Sequence, residues 1–240
     1  MNDAITQKMV DDIVDKAKPL LEKKEGKHDK IVPTLIHKGL DNLDLTMFDE
    51  LSRNEILEAM GDEYLKRGNL KEASRAYLLA KQFEKLSLIG DQHKRLMQFD
   101  KAIEIYKMAG NSEKIFALGM KCLNELNLVN AVMAFKILND TENLARVGEA
   151  CLQKMKYELA LEVFIHIKDP KRIEEAADKC VEHKMYPEAL HAYQTINSID
   201  KLNKLGELAI NEGQINVAIN AFELANNQTM IQFIKTNLVK

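Results

Sequence analysis

Apolar residues recur along this chain in two spacings that restart every 29 residues. In the first, Leu57, Leu86, Ile115, Leu144, Ile173 and Leu202 are followed three residues later by Met60, Ile89, Leu118, Val147, Ala176 and Leu205. Next in line come Gly61, Gly90, Gly119, Gly148, Ala177 and Gly206, and three further on Tyr64, His93, Cys122, Cys151, Cys180 and Ala209. This i, i+3, i+4, i+7 pattern is one face of a helix. The second spacing starts nine residues after the glycine with Leu70, Phe99, Leu128, Tyr157, Tyr186 and Ile215. It runs through an alanine column (Ala73, Ala102, Ala131, Ala160, Ala189, Ala218) and an aromatic column (Tyr77, Tyr106, Phe135, Phe164, Tyr193, Phe222). It closes at Ala80, Ala109, Leu138, Ile167, Ile196 and Ala225, and predicts a second helix.

Asn111, Asp140, Asp169, Ser198 and Asn227 share one repeat position and are expected to cap starting helices, with Pro170 at the first helical position after Asp169. Only Gln82 breaks that column. Each unit is expected to be a helix of about 14 residues, a turn, a helix of about 11 and a turn. Small residues at the glycine and alanine columns would let the helices approach closely, with the aromatic wedged between units. No unit buries its apolar faces alone, so neighbours must stack.

The first unit, MGDEYLKRGNLKEASRAYLLA, resembles a tetratricopeptide repeat at Gly61, Tyr64, Gly68, Ala73, Tyr77 and Ala80. Later units keep the first glycine, the alanine and the aromatic, lose the second glycine, and are about five residues shorter than the usual unit of that family. FDKAIEIYKMAGNSEKI is similar to the compact helical repeats of coat and intraflagellar-transport subunits. The resemblance implies an all-α, right-handed solenoid of six 29-residue helix-turn-helix repeats with helical caps, and a scaffold that binds proteins through a concave surface without catalysis. The expected division is a cap with a degenerate repeat over residues 1–51, six repeats over 52–226, and a capping helix over 227–240.

Composition narrows the function classes. A formal net charge of -3 gives no basis for non-specific nucleic-acid binding, which needs clustered Lys and Arg. No apolar run approaches the roughly 20 residues of a membrane span. The opening MNDAITQKMVDDIVDKAK is interrupted by charge where a signal peptide is apolar, so a cytoplasmic location is expected. Cys122, Cys151 and Cys180 are the chain's three cysteines, and with His93 they make a run that looks like zinc ligands when written in a line. Equivalent residues of stacked helices lie about 8–10 Å apart, too far for one zinc or a disulfide. The column is therefore expected to hold small packing residues, with Ala209 in the same role. His28, His37, His166, His183 and His191 have no partner column and read as surface or turn residues. No phosphate loop, His-Glu-x-x-His or nucleophile elbow occurs, so neither enzyme activity nor a cofactor or metal is expected.

One column carries a candidate site. Directly after the glycine stand Asp62, Asp91, Met120, Glu149, Asp178 and Glu207, on the helices that line the concave face in the resembled family. A column two residues after the cap, Glu55, Glu84, Glu113, Glu142, Lys171 and Asp200, is acidic too, as the positive end of a helix dipole favours. Asp62 and Asp91 have i+4 partners in Lys66 and Arg95, whereas Glu149, Asp178 and Glu207 are followed by Gln153, Glu182 and Asn211. Beside this stripe run Leu65, Leu123, Leu152, Val181 and Ile210. Two readings stay open: a solvated face, or a groove formed by Asp62, Asp91, Glu149, Asp178, Glu207, Leu123, Leu152 and Val181 for a protein or peptide carrying basic and apolar residues. A second function class, a structural subunit that self-assembles or joins a coat-like complex through its terminal helices, is the alternative.

The ends depart from the repeat. Ile5, Met9, Ile13, Ala17 and Leu20 predict an amphipathic helix disturbed near Pro19. Residues 31–51 look like a decayed repeat, with Phe48 and Leu51 lying 29 before Tyr77 and Ala80. NQTMIQFIKTNLVK reads as the first helix of a seventh unit.

Overall fold

A computed structural model describes residues 30–238. Among them are fourteen α-helices and no strand. The helices are α1 (Val32–Lys38), α2 (Glu50–Lys66), α3 (Leu70–Leu79), α4 (Phe83–Arg95), α5 (Phe99–Met108), α6 (Ser112–Asn124) and α7 (Leu128–Leu138). They continue as α8 (Thr141–Gln153), α9 (Tyr157–His166), α10 (Pro170–Glu182), α11 (Tyr186–Thr195), α12 (Ile199–Asn211), α13 (Ile215–Leu224) and α14 (Gln228–Asn237). The amphipathic pattern at Ile5 to Leu20 lies outside the described residues. The chain divides into two compact units, Met1–Lys121 and Cys122–Lys240, with the boundary inside α6.

Helix lengths follow the periodicity. The even-numbered helices from α4 to α12 have 13 residues each. Their successors have 10 or 11. In the first unit α1 packs on α2, and α2 to α5 pack each on the next; in the second unit the same holds from α7 to α14, and α11 also touches α9 and α13. Each unit is therefore a run of consecutively packed helical hairpins, as a helical repeat requires.

One turn design joins the helices from α2 to α14. In the turns after α2 and α8 the residue three past the helix donates its N–H to a carbonyl five back, and the residue before it bonds three back: Asn69 to Tyr64 at 2.9 Å with Gly68 to Leu65 at 2.9 Å, and likewise Lys156 to Cys151 at 2.9 Å with Met155 to Leu152 at 3.0 Å. This closure requires a left-handed residue. Gly68, Gly110 and Gly213 supply it without strain, but Met97, Leu126, Met155, Lys81, Lys168 and Lys184 also adopt it, at φ between 55° and 59°. The residue ending one turn opens the next helix. Asn111, Asp140, Asp169 and Asn227 cap as expected, accepting from backbone N–H groups at 3.0 to 3.2 Å. Ser198 does not; its side chain makes no cap bond. Asn69, outside the expected column, caps α3 through the N–H of Glu72 at 3.2 Å.

The aromatic column packs within its own hairpin, and three of its rings also meet a lysine of the next. Four rings lie on the glycine of their own hairpin: a Cβ on Gly61 would meet Tyr77 at 2.6 Å, on Gly90 Tyr106 at 2.5 Å, on Gly148 Phe164 at 2.4 Å and on Gly206 Phe222 at 2.6 Å. These rings are fully buried, and each contributes about 1.5–3 kcal/mol of transfer free energy.

The region before α2 differs from a decayed hairpin. α2 begins at Glu50, so Leu51 falls in its first turn and is 71% exposed, and Phe48 lies in the segment before it. Val32 and Leu45, with Leu35, Ile36, Leu40, Leu43 and Phe48 around them, cover the apolar face of the first hairpin. At the other end Ile231 and Ile234 of α14 are buried against Ala209, Ala218 and Phe222.

Candidate functional site

The acidic column sits beside the rings, and the rings explain its chemistry. In three hairpins the aromatic is a tyrosine whose hydroxyl donates to the aspartate after the glycine position: Tyr77 to Asp62 at 2.8 Å, Tyr106 to Asp91 at 2.7 Å and Tyr193 to Asp178 at 2.6 Å. Each aspartate also takes a lysine from the next first helix, 23 residues on: Lys85 at 2.6 Å, Lys114 at 2.6 Å and Lys201 at 2.6 Å. These ammonium groups stand 5.5 to 6.0 Å from the centroids of the same tyrosine rings, within cation-π range. An Asp-Tyr-Lys tie thus links one hairpin to the next.

Where the ring is phenylalanine the acid changes. Glu149 stands beside the hairpin of Phe164 and pairs with Arg172 at 2.8 Å, the longer side chains meeting directly without a hydroxyl between them. Glu207 has Phe222 in its hairpin and Met230 at the lysine position; it is exposed and has no ion pair among the described residues. Met120 occupies the remaining position, with Phe135 and Asn143 in the ring and lysine columns.

Burial grades these ties. The side chains of Lys85 and Asp62 are 7% and 17% exposed, and Lys85 also meets buried Glu58 at 3.0 Å, which accepts from Gln82 at 2.7 Å. Burial holds the Asp62 carboxyl above its ordinary range, against the opposing pull of Lys85 and of the Tyr77 hydroxyl. Burial, with the carboxylate beside each, likewise keeps the Tyr77, Tyr106 and Tyr193 hydroxyls protonated and able to donate. Glu149 and Arg172, by contrast, are 51% and 37% exposed. The Arg172 guanidinium is held above its usual range by hydrogen bonds to Asp169 and then Glu149. For Lys201, burial pulls downward but the bonds to Asp178 and Glu174 prevail, and its pKa rises.

Of the expected apolar lining, Leu123 is buried at 8% and belongs to the core, which leaves Leu152 and Val181 half-buried at the surface. Open grooves lie between successive first helices. In the second unit a cavity of about 1010 Å³ between α10 and the start of α12 is lined by Glu174, Glu175, Asp178, Glu182 and Asp200, with Lys171 and Lys179. Another of about 460 Å³ between α8 and α10 carries Glu142, Glu149, Arg146 and Arg172. In the first unit the groove between α4 and α6, about 570 Å³, holds Phe83, Leu88, Glu84 and Glu113. Glu174, Glu175 and Glu182 escape a reading that follows only the column after the glycine; they stand on the same helix at i, i+1 and i+8, so the face of α10 would have revealed them.

The cysteines are buried. Burial pushes the Cys151 and Cys180 thiols up to about 11, away from thiolate chemistry. Among the described residues no group of three or more His, Cys, Asp and Glu is placed to hold a metal ion. His183 is no bystander: its Nε2 lies 2.9 Å from the Tyr157 hydroxyl, and the two rings stack at 4.8 Å.

The fold and this surface define a helical-repeat protein. No family model matches the sequence, and no curated protein matches it. Among the described residues no helix is long and apolar enough to cross a membrane.

Proposed function

We propose that this chain is a non-catalytic adaptor or scaffold, a right-handed solenoid of six short tetratricopeptide-like repeats that takes a protein segment bearing basic and apolar residues on the face of its first helices. The observation that carries this reading is the groove between α10 and α12, where Glu175 and Asp200 are exposed and have no ion pair among the described residues. Exposed Glu207 on α12 has none either. Charges already tied to an internal lysine offer a partner little, whereas these three remain available to attract one.

The alternative, assembly through the terminal helices, meets an obstacle at α14. Lys235 stands in the glycine column there, 29 residues after Gly206, where the six repeats carry glycine or alanine.

Affinity capture tests the proposal. The intact protein is compared with a Glu175→Lys, Asp200→Lys, Glu207→Lys variant whose fold is confirmed by circular dichroism. A partner retained by the first, lost by the second and released as salt rises is expected; equal capture by both overturns the acidic groove. Glu149 and Asp178 are left untouched because reversal there would break the ties between hairpins.

A further inference from the structure

A further groove lies in the second unit, away from the acidic face, where α7 and α9 begin and α11 is entered. About 430 Å³ in volume, it is lined by Val129, Met155, Leu159, Met185, Lys156 and Glu158, among others. Val129 and Met155 are 62% and 70% exposed, and Leu126, at the turn before α7, is 45% exposed. Leu126 and Met155 both occupy the left-handed turn residue, at φ 57° and 56°, a conformation that glycine or asparagine adopts at lower cost. Neither a core contact nor the turn itself calls for a large apolar side chain at these two sites. Covering them with apolar surface would bring the usual gain of burial.

The charges at the groove indicate what covers it. Lys154, Lys156 and Glu158 are exposed and have no ion pair among the described residues. A lysine and a glutamate two residues apart on one patch suit no partner of single sign, but they are self-complementary: across a two-fold axis, residue i meets j while j meets i. We infer that the groove joins two copies of this chain in an isologous dimer, with Met155, Val129 and Leu126 at its centre and Lys156 of each copy opposite Glu158 of the other. The surface is distinct from the first-helix face, so a dimer would leave both acidic grooves open.

Sedimentation velocity from low to high micromolar concentration tests this. A reversible monomer–dimer equilibrium is expected, and a monomer throughout overturns the inference. Met155→Asn suits the left-handed turn, so the variant should fold with an unchanged or raised melting temperature, yet its dimer should dissociate at least about tenfold more readily. Lys156→Glu alone and Glu158→Lys alone should each weaken the dimer, and the double exchange should restore it. Dimerisation insensitive to Met155→Asn, or a double exchange no better than the single ones, would place the contact elsewhere and sink the proposal.

Discussion

Two ties between hairpins, one in each unit, do the same job by different means. In the first unit Asp62, Tyr77 and Lys85 form a nearly dry cluster that also holds Glu58 and Gln82. In the second, Glu149 and Arg172 form an exposed pair beside the hairpin of Phe164, whose ring has no hydroxyl to offer. In the first tie the tyrosine hydroxyl is a second donor to an aspartate that the lysine already meets directly, and the whole cluster is buried; the Asp91–Lys114 and Asp178–Lys201 ties keep the hydroxyl yet stay partly exposed. Glu149 and Arg172 meet directly at 2.8 Å but at an exposed position, where screening takes most of the energy. A buried ion pair gains little net free energy over its desolvation cost, yet removing one partner is strongly destabilising because the other charge is left buried alone.

The largest expected break follows from that asymmetry. Lys85→Ala leaves Glu58 and Asp62 buried without their cation and should cost about 3–5 kcal/mol, whereas Arg172→Ala, at a surface pair discounted for screening, should cost under ~1 kcal/mol; urea unfolding of the two variants measures the contrast. Equal losses would mean that burial does not separate the ties. Next in size, Gly148→Ala pushes a Cβ into Phe164 and should destabilise by about 1–3 kcal/mol, seen as a lower melting temperature. Tyr77→Phe keeps the ring but removes the donor to Asp62, at about 1.5 kcal/mol, while the corresponding ring at Phe164 has no such bond to lose. Smaller again, Ser198→Asp should supply the missing cap of α12 and add about 0.5–1 kcal/mol, and no gain in melting temperature would show that the turn geometry forbids the bond.

The subtlest contrast is in pH dependence. Burial holds Asp62 above its ordinary 3.8, so the folded chain binds that proton more tightly than the unfolded chain does. Its contribution favours folding below 3.8 and is lost as pH rises through the raised midpoint. Asp169 in the second unit is held below 3.8, first by the backbone N–H of Arg172 and then by its side chain. Its contribution is present above 3.8 and is lost as pH falls through the lowered midpoint. Carboxyl NMR titration should therefore find the Asp62 midpoint above 3.8 and that of Asp169 below it; the opposite order would contradict both assignments.

Much of this architecture is legible in the letters. From α3 onward a 29-residue period with glycine, alanine and aromatic columns gives the helix lengths to within about a residue, because packing a helix on its neighbour demands the same side-chain sizes at every turn of the repeat. Even the ties leave a trace: aspartate appears wherever the ring is tyrosine and the column 23 residues further on is lysine, and glutamate or methionine wherever the ring is phenylalanine. Reading along single helices conceals that trace, since it looks for partners at i+4. Glu149 and Asp178 look unpaired by that rule, yet their cations, Arg172 and Lys201, come from the next hairpin.

The sequence by itself determined the elements: their lengths, their turns and the faces that must be buried, all of which are local and periodic quantities. Only the tertiary structure decided which acids are spent internally and which remain at the surface. Electrostatic pairing depends on distances across a stack, and the same aspartate is a tie or a binding group according to whether a neighbouring helix brings a lysine within about 3 Å. So Asp62, Asp91 and Asp178 hold hairpins together, while exposed Glu207, with methionine where a lysine could stand, is left to meet something else.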